Sequence, residues 1–251
     1  YEDITGSISF SRTVESLVPD TGVMEAVTVL ANRWLHTAVS WGPDVTVFCG
    51  GYDTTMFALE PATGCSSYTA SDNNYARADN AMLVGRAGHG ATVIPGHNGD
   101  RILVVGGTST EFEYVPTVCA LPEDIGEALD TVEIIEQVSG EFVSTDNDSN
   151  PVTDSGELIR MNHPRLFPLV LRLPDENRVL VCGGYDGSIH RNDCEFFVEG
   201  DSPYFTVAEG LELPLPVSSL QGAVLDDGSV LLAGGHMGGC EPANQAVLYT
   251  P

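Results

Sequence analysis

The stretch VLVCGGYDGS at 179–188 has a counterpart in VTVFCGGYDT at 45–54, so one chain carries the core CGGYD twice. In both copies a run of β-branched and aliphatic residues stops at two glycines, the pattern of a buried strand that ends in a bend. Two further copies keep only the glycines: RILVVGG, ending at Gly107, and SVLLAGG, ending at Gly235. The first glycines, Gly50, Gly106, Gly183 and Gly234, are 56, 77 and 51 residues apart. Such spacing describes a repeated unit with one long insertion.

Each run follows another β-like segment and a polar turn: HTAVSWGPD, HGATVIPGHNGD, FPLVLRLPDEN and QGAVLDDGS. Pro, Asn, Asp and Gly between two short apolar runs predict a hairpin. A third segment follows each glycine pair after a polar loop, in TMFALEPATG, DTVEIIEQVSG, DCEFFVEG and QAVLYTP. Fourth strands are expected at EFVST (141–145) and YFTVA (204–208), with CSSYT (65–69) a weaker candidate. The sequence therefore predicts an all-β fold built from units of three to four antiparallel strands.

These units resemble Kelch repeats. The likeness rests on the strand ending in Gly-Gly, on the upstream RWLH (33–36) and RAGH (86–89), and on the endings LEPATG and LYTP, and it covers residues 30–251. The Trp usual after the third strand is absent, and the third unit has HPRLFP (163–168) where the second has RAGH. The resemblance implies one β-propeller domain over 1–251 with four blades visible, four to five in all, or a segment of a larger propeller from a longer chain. The first 35 residues, with SISFSR and MEAVTVLA, fit either the outer part of a preceding blade or the strand that completes the last one.

Composition limits the partners. Thirty-six acidic residues face ten basic ones, all Arg, for a net charge of −26. Nucleic acid and anionic membrane surfaces need clustered cations, and this chain has none to offer. No apolar run reaches the ~18 residues of a spanning helix. Six cysteines without CxxC or zinc spacing, in an acidic chain, point to an oxidising compartment, so an extracellular or cell-surface location is expected.

Candidate chemistry is sparse. In the acidic inter-blade loop 146–157, Asp146, Asp148, Asn150, Asp154 and Glu157, with the Val152 carbonyl, follow the oxygen spacing of a calcium loop, although Pro151 stands where that loop has Gly. The alternative is a polar turn-rich connection. Asn147 opens an Asn-x-Ser glycosylation pattern. His36 and His89 share one repeat position, which suggests a structural bond to a loop backbone. Cys194 and Cys240, in adjacent units, form one candidate disulfide, and Cys65 with Cys119 another.

A propeller does not specify function, and two readings stand. The first is a non-catalytic binding or assembly module contacting protein or glycan through the post-glycine loops, among them the long insertion 108–130. The second is a copper-radical oxidase of the galactose or glyoxal oxidase type, which uses a similar propeller with two His, two Tyr and a Tyr-linked Cys. Tyr52 and Tyr185, beside Cys49 and Cys182, invite that comparison, yet they recur as repeat features rather than as one converging site.

Overall fold

Four of the sheets in this computed structural model are organised by the glycine pairs. The structure describes residues 13–18, 23–28, 33–54, 59–96, 99–111, 125–144, 159–174, 177–200, 202–238 and 241–251. It is all β, and no helix occurs among the described residues. Strands β1 (Thr13–Val18) and β2 (Val23–Thr28) pair as a hairpin. A small sheet joins β3 (Arg33–Trp34), β6 (Tyr52–Thr54) and β7 (Leu59–Pro61).

Sheet one contains β4 (Thr37–Trp41), β5 (Val45–Cys49), β8 (Cys65–Thr69) and β9 (Asn74–Ala78). Sheet two contains β10 (Gly90–Ile94), β11 (Arg101–Val105), β12 (Val132–Val138) and β13 (Glu141–Ser144). Sheet three contains β14 (Leu169–Arg172), β15 (Arg178–Cys182), β16 (Asp193–Val198) and β17 (Tyr204–Glu212). Sheet four has β18 (Gln221–Val224), β19 (Val230–Ala233) and β20 (Ala246–Tyr249). The four sheets are antiparallel meanders, as the repeated pattern predicts.

One difference falls in the first unit, where the third strand is CSSYT and the fourth is Asn74–Ala78. The expected third segment, TMFALEP, instead contributes β7 to the small sheet, where it pairs with the loop strand that follows the glycines. The bond between Cys49 and Cys65 fixes the alternative register.

Successive sheets stack face to face, with the first strand of each beside the first strand of the next. The second strands of sheets two and three are buried on both sides as a result. Ile102 and Val104 pack with Val47 of sheet one, while Leu103 and Val105 pack with Val179 and Val181 of sheet three. That two-sided burial is why the second strands read as unbroken apolar runs rather than alternating ones. Val47, Leu103 and Leu180 occupy one repeat position and are fully buried, whereas the equivalent Leu231 of sheet four is 39% exposed. Likewise Ile134 and Phe196 are buried, and the equivalent Leu248 is 62% exposed.

The glycines make the joint between sheets. Gly106 and Gly107 have φ of +66° and +87°, and the other three pairs repeat this double left-handed bend. A Cβ on Gly50, Gly106 or Gly183 would come within 2.4, 2.3 and 2.6 Å of the carbonyl oxygens of Arg86, Arg165 and Val217 in the next unit. The N–H of each following glycine donates to that same carbonyl, at 2.8 Å for Gly51, 2.9 Å for Gly107 and 2.8 Å for Gly184. Only a residue without a side chain allows this approach in this conformation.

Two buried ion pairs reinforce the joints. Arg86 donates to Glu133 at 2.8 Å and to the carbonyls of Gly106 and Thr131, and all three acceptors belong to the strands of sheet two or the residues flanking them. Arg165 does the same in sheet three, with Glu195 at 2.7 Å, Asp193 at 2.8 Å and the carbonyls of Gly183 and Asp193. Glu133 in turn accepts the N–H groups of Leu83 and Val84, and Glu195 those of Asn162. The side chains of Arg86, Arg165, Glu133 and Glu195 are all fully buried. In sheet one Arg33 holds the same place and donates to the carbonyls of Gly50 and Gly64, with Ser66 where the others have Glu.

Sheet four performs the same job without charge. Val217 and Val247 stand at the Arg and Glu positions, and the Gln245 amide bonds the Gly234 carbonyl and the Leu215 N–H. Breaking a buried pair by removing one partner strands the other charge, whereas apolar replacement of the whole set is tolerated far better.

Arg165→Met, which leaves Glu195 without its cation, is therefore expected to lower unfolding free energy by about 3–5 kcal/mol in urea denaturation. The triple variant R165V/D193Q/E195V, which copies the sheet-four set, should recover most of that loss. A triple variant no more stable than the single one would refute this account of the joint.

Candidate functional site

The first strand of each sheet starts where its second strand ends, because the two are antiparallel: Thr37 faces Cys49, and Leu169 faces Cys182. The turn leading into each first strand therefore lies at the glycine end. Its residues Leu35, Gly88, Phe167 and Ser219 share one repeat position and all have φ between +54° and +61°. Backbone bonds connect them in series, from the Gly88 N–H to Leu35, from Phe167 to Gly88 and from Ser219 to Phe167, at 2.9, 2.7 and 3.0 Å. This chain of bonds holds the four turns around a cleft of about 350 Å³.

His36, Thr37, His89, Phe167, Ser219 and Gln221 line that cleft together with small apolar residues of the first strands. The Nε2 of His89 and the Thr37 hydroxyl are 2.8 Å apart. His89 thus bonds a hydroxyl of the preceding sheet, in addition to the turn backbone at Arg86. Burial pushes His89 down to about 3, with the charges of Arg86 and His36 acting in the same direction. His36 is also lowered, first by burial and then by Arg33. Both imidazoles are therefore neutral at physiological pH and act as hydrogen-bonding groups.

The post-glycine loops surround the same end. Tyr52, Thr108, Tyr185 and His236 directly follow the glycine pairs and bridge to Trp34, Ala87, Leu166 and Ser218. In the loop after Tyr185, the Asp186 carboxylate accepts the N–H groups of Ser188 and Ile189 and pairs with Arg191 at 3.0 Å. Arg191 also bonds Asp193, which bonds Arg165, so a charged network ties this loop to the buried joint. Burial works against ionisation of Asp193, but bonds from Arg191 and the charge of Arg165 hold it at about 2. Ile189 projects from this fixed turn and is 58% exposed. The rings of His190 and His236 lie 5.8 Å apart and join the loops of sheets three and four.

The cysteine pairing differs from expectation. Cys194 is bonded to Cys182 rather than Cys240, and Cys65 to Cys49 rather than Cys119. In each case the partners face each other directly on neighbouring strands, with Cα atoms 4.1 and 4.2 Å apart. The flanking bonds from Gly50 to Gly64 and from Gly183 to Asp193 make both sites non-hydrogen-bonded pairs, where side chains come closest. Val105–Val132 and Ala233–Ala246 occupy the same place in the other two sheets.

The pairing bears on the copper-oxidase reading. Neither Cys49 nor Cys182 has a thiol with which to cross-link a tyrosine. The Tyr52 hydroxyl is buried and donates to the carbonyl of Thr110 at 3.0 Å. Ile125, at the far end of the long insertion, packs in the same cluster as Tyr52. Cys119 and Cys240, the calcium candidates Asp146, Asp148, Asn150, Val152, Asp154 and Glu157, and Asn147 lie outside the described residues. Among the described residues no group of three or more His, Cys, Asp or Glu is placed to hold a metal.

Neither a known protein family nor a curated protein matches the sequence. The fold is similar to the solved structure of YjhT, with a TM-score of 0.69 at 13% identity, over 99% of this chain and 75% of YjhT. At that identity the likeness is one of fold.

Because the unfolded chain protonates His89 near pH 6.5 and the folded chain only near 3, stability contributed by the neutral ring is lost as pH falls through this window. Between pH 7 and 4.5, wild type should lose roughly 2 kcal/mol more stability than His89→Gln in paired urea titrations. Parallel losses in the two proteins would contradict the burial of a neutral imidazole.

Proposed function

We propose that this chain is a Kelch-like β-propeller, or part of one, that works outside the cell as a non-catalytic binding module and contacts protein or glycan through its glycine-end loops. The observation that carries this reading is the common end of the four loops. Each begins at a glycine pair, so loops from four different sheets emerge at one end of the scaffold.

Three features support the wider assignment. The sheets stack through equivalent faces, in the manner of blades, and the fold resembles that of YjhT. Two disulfides suit an oxidising compartment. The Asp186–Arg191–Asp193 network holds one loop in place before any partner arrives, which lowers the ordering cost of binding. Calcium in the 146–157 loop remains part of the proposal as a brace for that connection.

The test is a glycan array of neutral and anionic oligosaccharides probed with wild type and with Ile189→Glu. Specific glycans should bind wild type and lose at least ~10-fold in affinity in the variant, with thermal unfolding unchanged. Stoichiometric copper with oxygen-dependent oxidation of galactose or glyoxal would overturn the reading. So would glycan binding indifferent to Ile189→Glu and to shortening of 185–192.

A further inference from the structure

We propose that the cleft among the four first strands binds the uncharged ring of a single sugar residue, a neutral monosaccharide or the neutral terminus of a glycan. The inference rests on the glycine end being a binding face, and it names the site and the ligand class there.

Size gives the first restriction. Small-molecule sites commonly span about 300–1,000 Å³, and this cleft of about 350 Å³ sits at the small end. It suits one ring rather than an extended oligosaccharide or a peptide segment.

Charge gives the second. No Asp, Glu or Arg side chain lines the cleft, and both of its histidines are held neutral. The nearby Arg86 is already engaged by Glu133 and two carbonyls. A carboxylate or ammonium ligand would leave water without meeting an opposite charge, a large penalty in a partly enclosed site.

The remaining groups match a polyol. The Thr37 and Ser219 hydroxyls, the Gln221 amide and the His36 imidazole each carry donor and acceptor groups, with Thr37 held in place by its bond to the buried His89. Sugar hydroxyls also donate and accept, so a cluster of such groups can satisfy several at once without fixing a charge. The half-buried Phe167 ring and the small Ala38 and Ala91 supply an apolar surface for the C–H face of a ring. Gly90 keeps the floor open and the strands close, since a Cβ there would meet Val170 Cγ2 at 2.3 Å. The serial backbone bonds through Gly88, Phe167 and Ser219 hold these groups in place before binding.

Saturation-transfer NMR and calorimetry with the methyl glycosides of galactose, glucose and mannose test the proposal, with galacturonate and galactosamine as charged counterparts. At least one neutral glycoside should bind saturably, and its charged counterpart should bind at least ~10-fold more weakly. Gln221→Ala and Thr37→Val should each weaken binding by ~10-fold, and Gln221→Ala, at an exposed position, should leave the thermal midpoint in place. Absence of binding by every neutral glycoside, equal binding of the charged sugars, or indifference to both substitutions would overturn it. If no glycoside binds while array binding still depends on Ile189, only this inference falls. If glycosides bind and array binding ignores Ile189, the loop-face reading falls instead.

Discussion

The structure depends on a hydrogen bond that only a glycine pair permits. The second glycine of three of the four pairs donates to a carbonyl in the next unit, and the first has no Cβ to keep that carbonyl away. Gly51 reaches Arg86, Gly107 reaches Arg165 and Gly184 reaches Val217, so one short contact recurs at three joints. Because the contact also sets where the next first strand begins, it determines the stacking of the sheets and the position of the turns that frame the cleft. The loops, the buried ion pairs and the cleft all inherit their geometry from it.

The chain solves one packing problem in several chemistries. At the joint, two units use a buried Arg–Glu pair, one uses Arg with backbone carbonyls, and one uses two valines with a glutamine. At the strand pair before the glycines, two units use a disulfide, one uses two valines and one uses two alanines. What is held constant is backbone geometry and satisfied hydrogen bonding, and side-chain chemistry varies around it. The charged versions carry a larger penalty for partial loss, which makes them sensitive to single substitutions.

Much of this was legible in the residues. The four apolar runs ending in Gly-Gly gave the second strands, because buried strands and left-handed bends both restrict composition strongly. The disulfides were not legible, since pairing depends on which strand lies beside which, and TMFALEP imitates a third strand as well as CSSYT does. The arginines were a missed signal. In a chain without Lys, three of ten Arg fall at one repeat position, Arg33, Arg86 and Arg165, and two of their sheets place Glu directly after the third-strand residue that faces the end of the second strand. The recurrence of His36 and His89 was visible, but the hydroxyl that His89 bonds comes from the preceding sheet and could be identified only in three dimensions. The cleft has no single local sequence mark, being assembled from three or four consecutive residues of each of four units.

The most direct measurement compares urea unfolding of Gly106→Ala and Gly234→Ala. Both residues are the first glycine of a pair, with φ of +66° and +73°, so both variants carry a left-handed alanine, a strain of about 1–2 kcal/mol. A Cβ at Gly106 would lie 2.3 Å from the Arg165 carbonyl, whereas one at Gly234 meets nothing within 4 Å. Gly106→Ala should therefore lose at least ~2 kcal/mol more than Gly234→Ala, because it alone pushes a joint apart. Equal losses in the two variants would contradict the claim that the glycine pairs hold the sheets together.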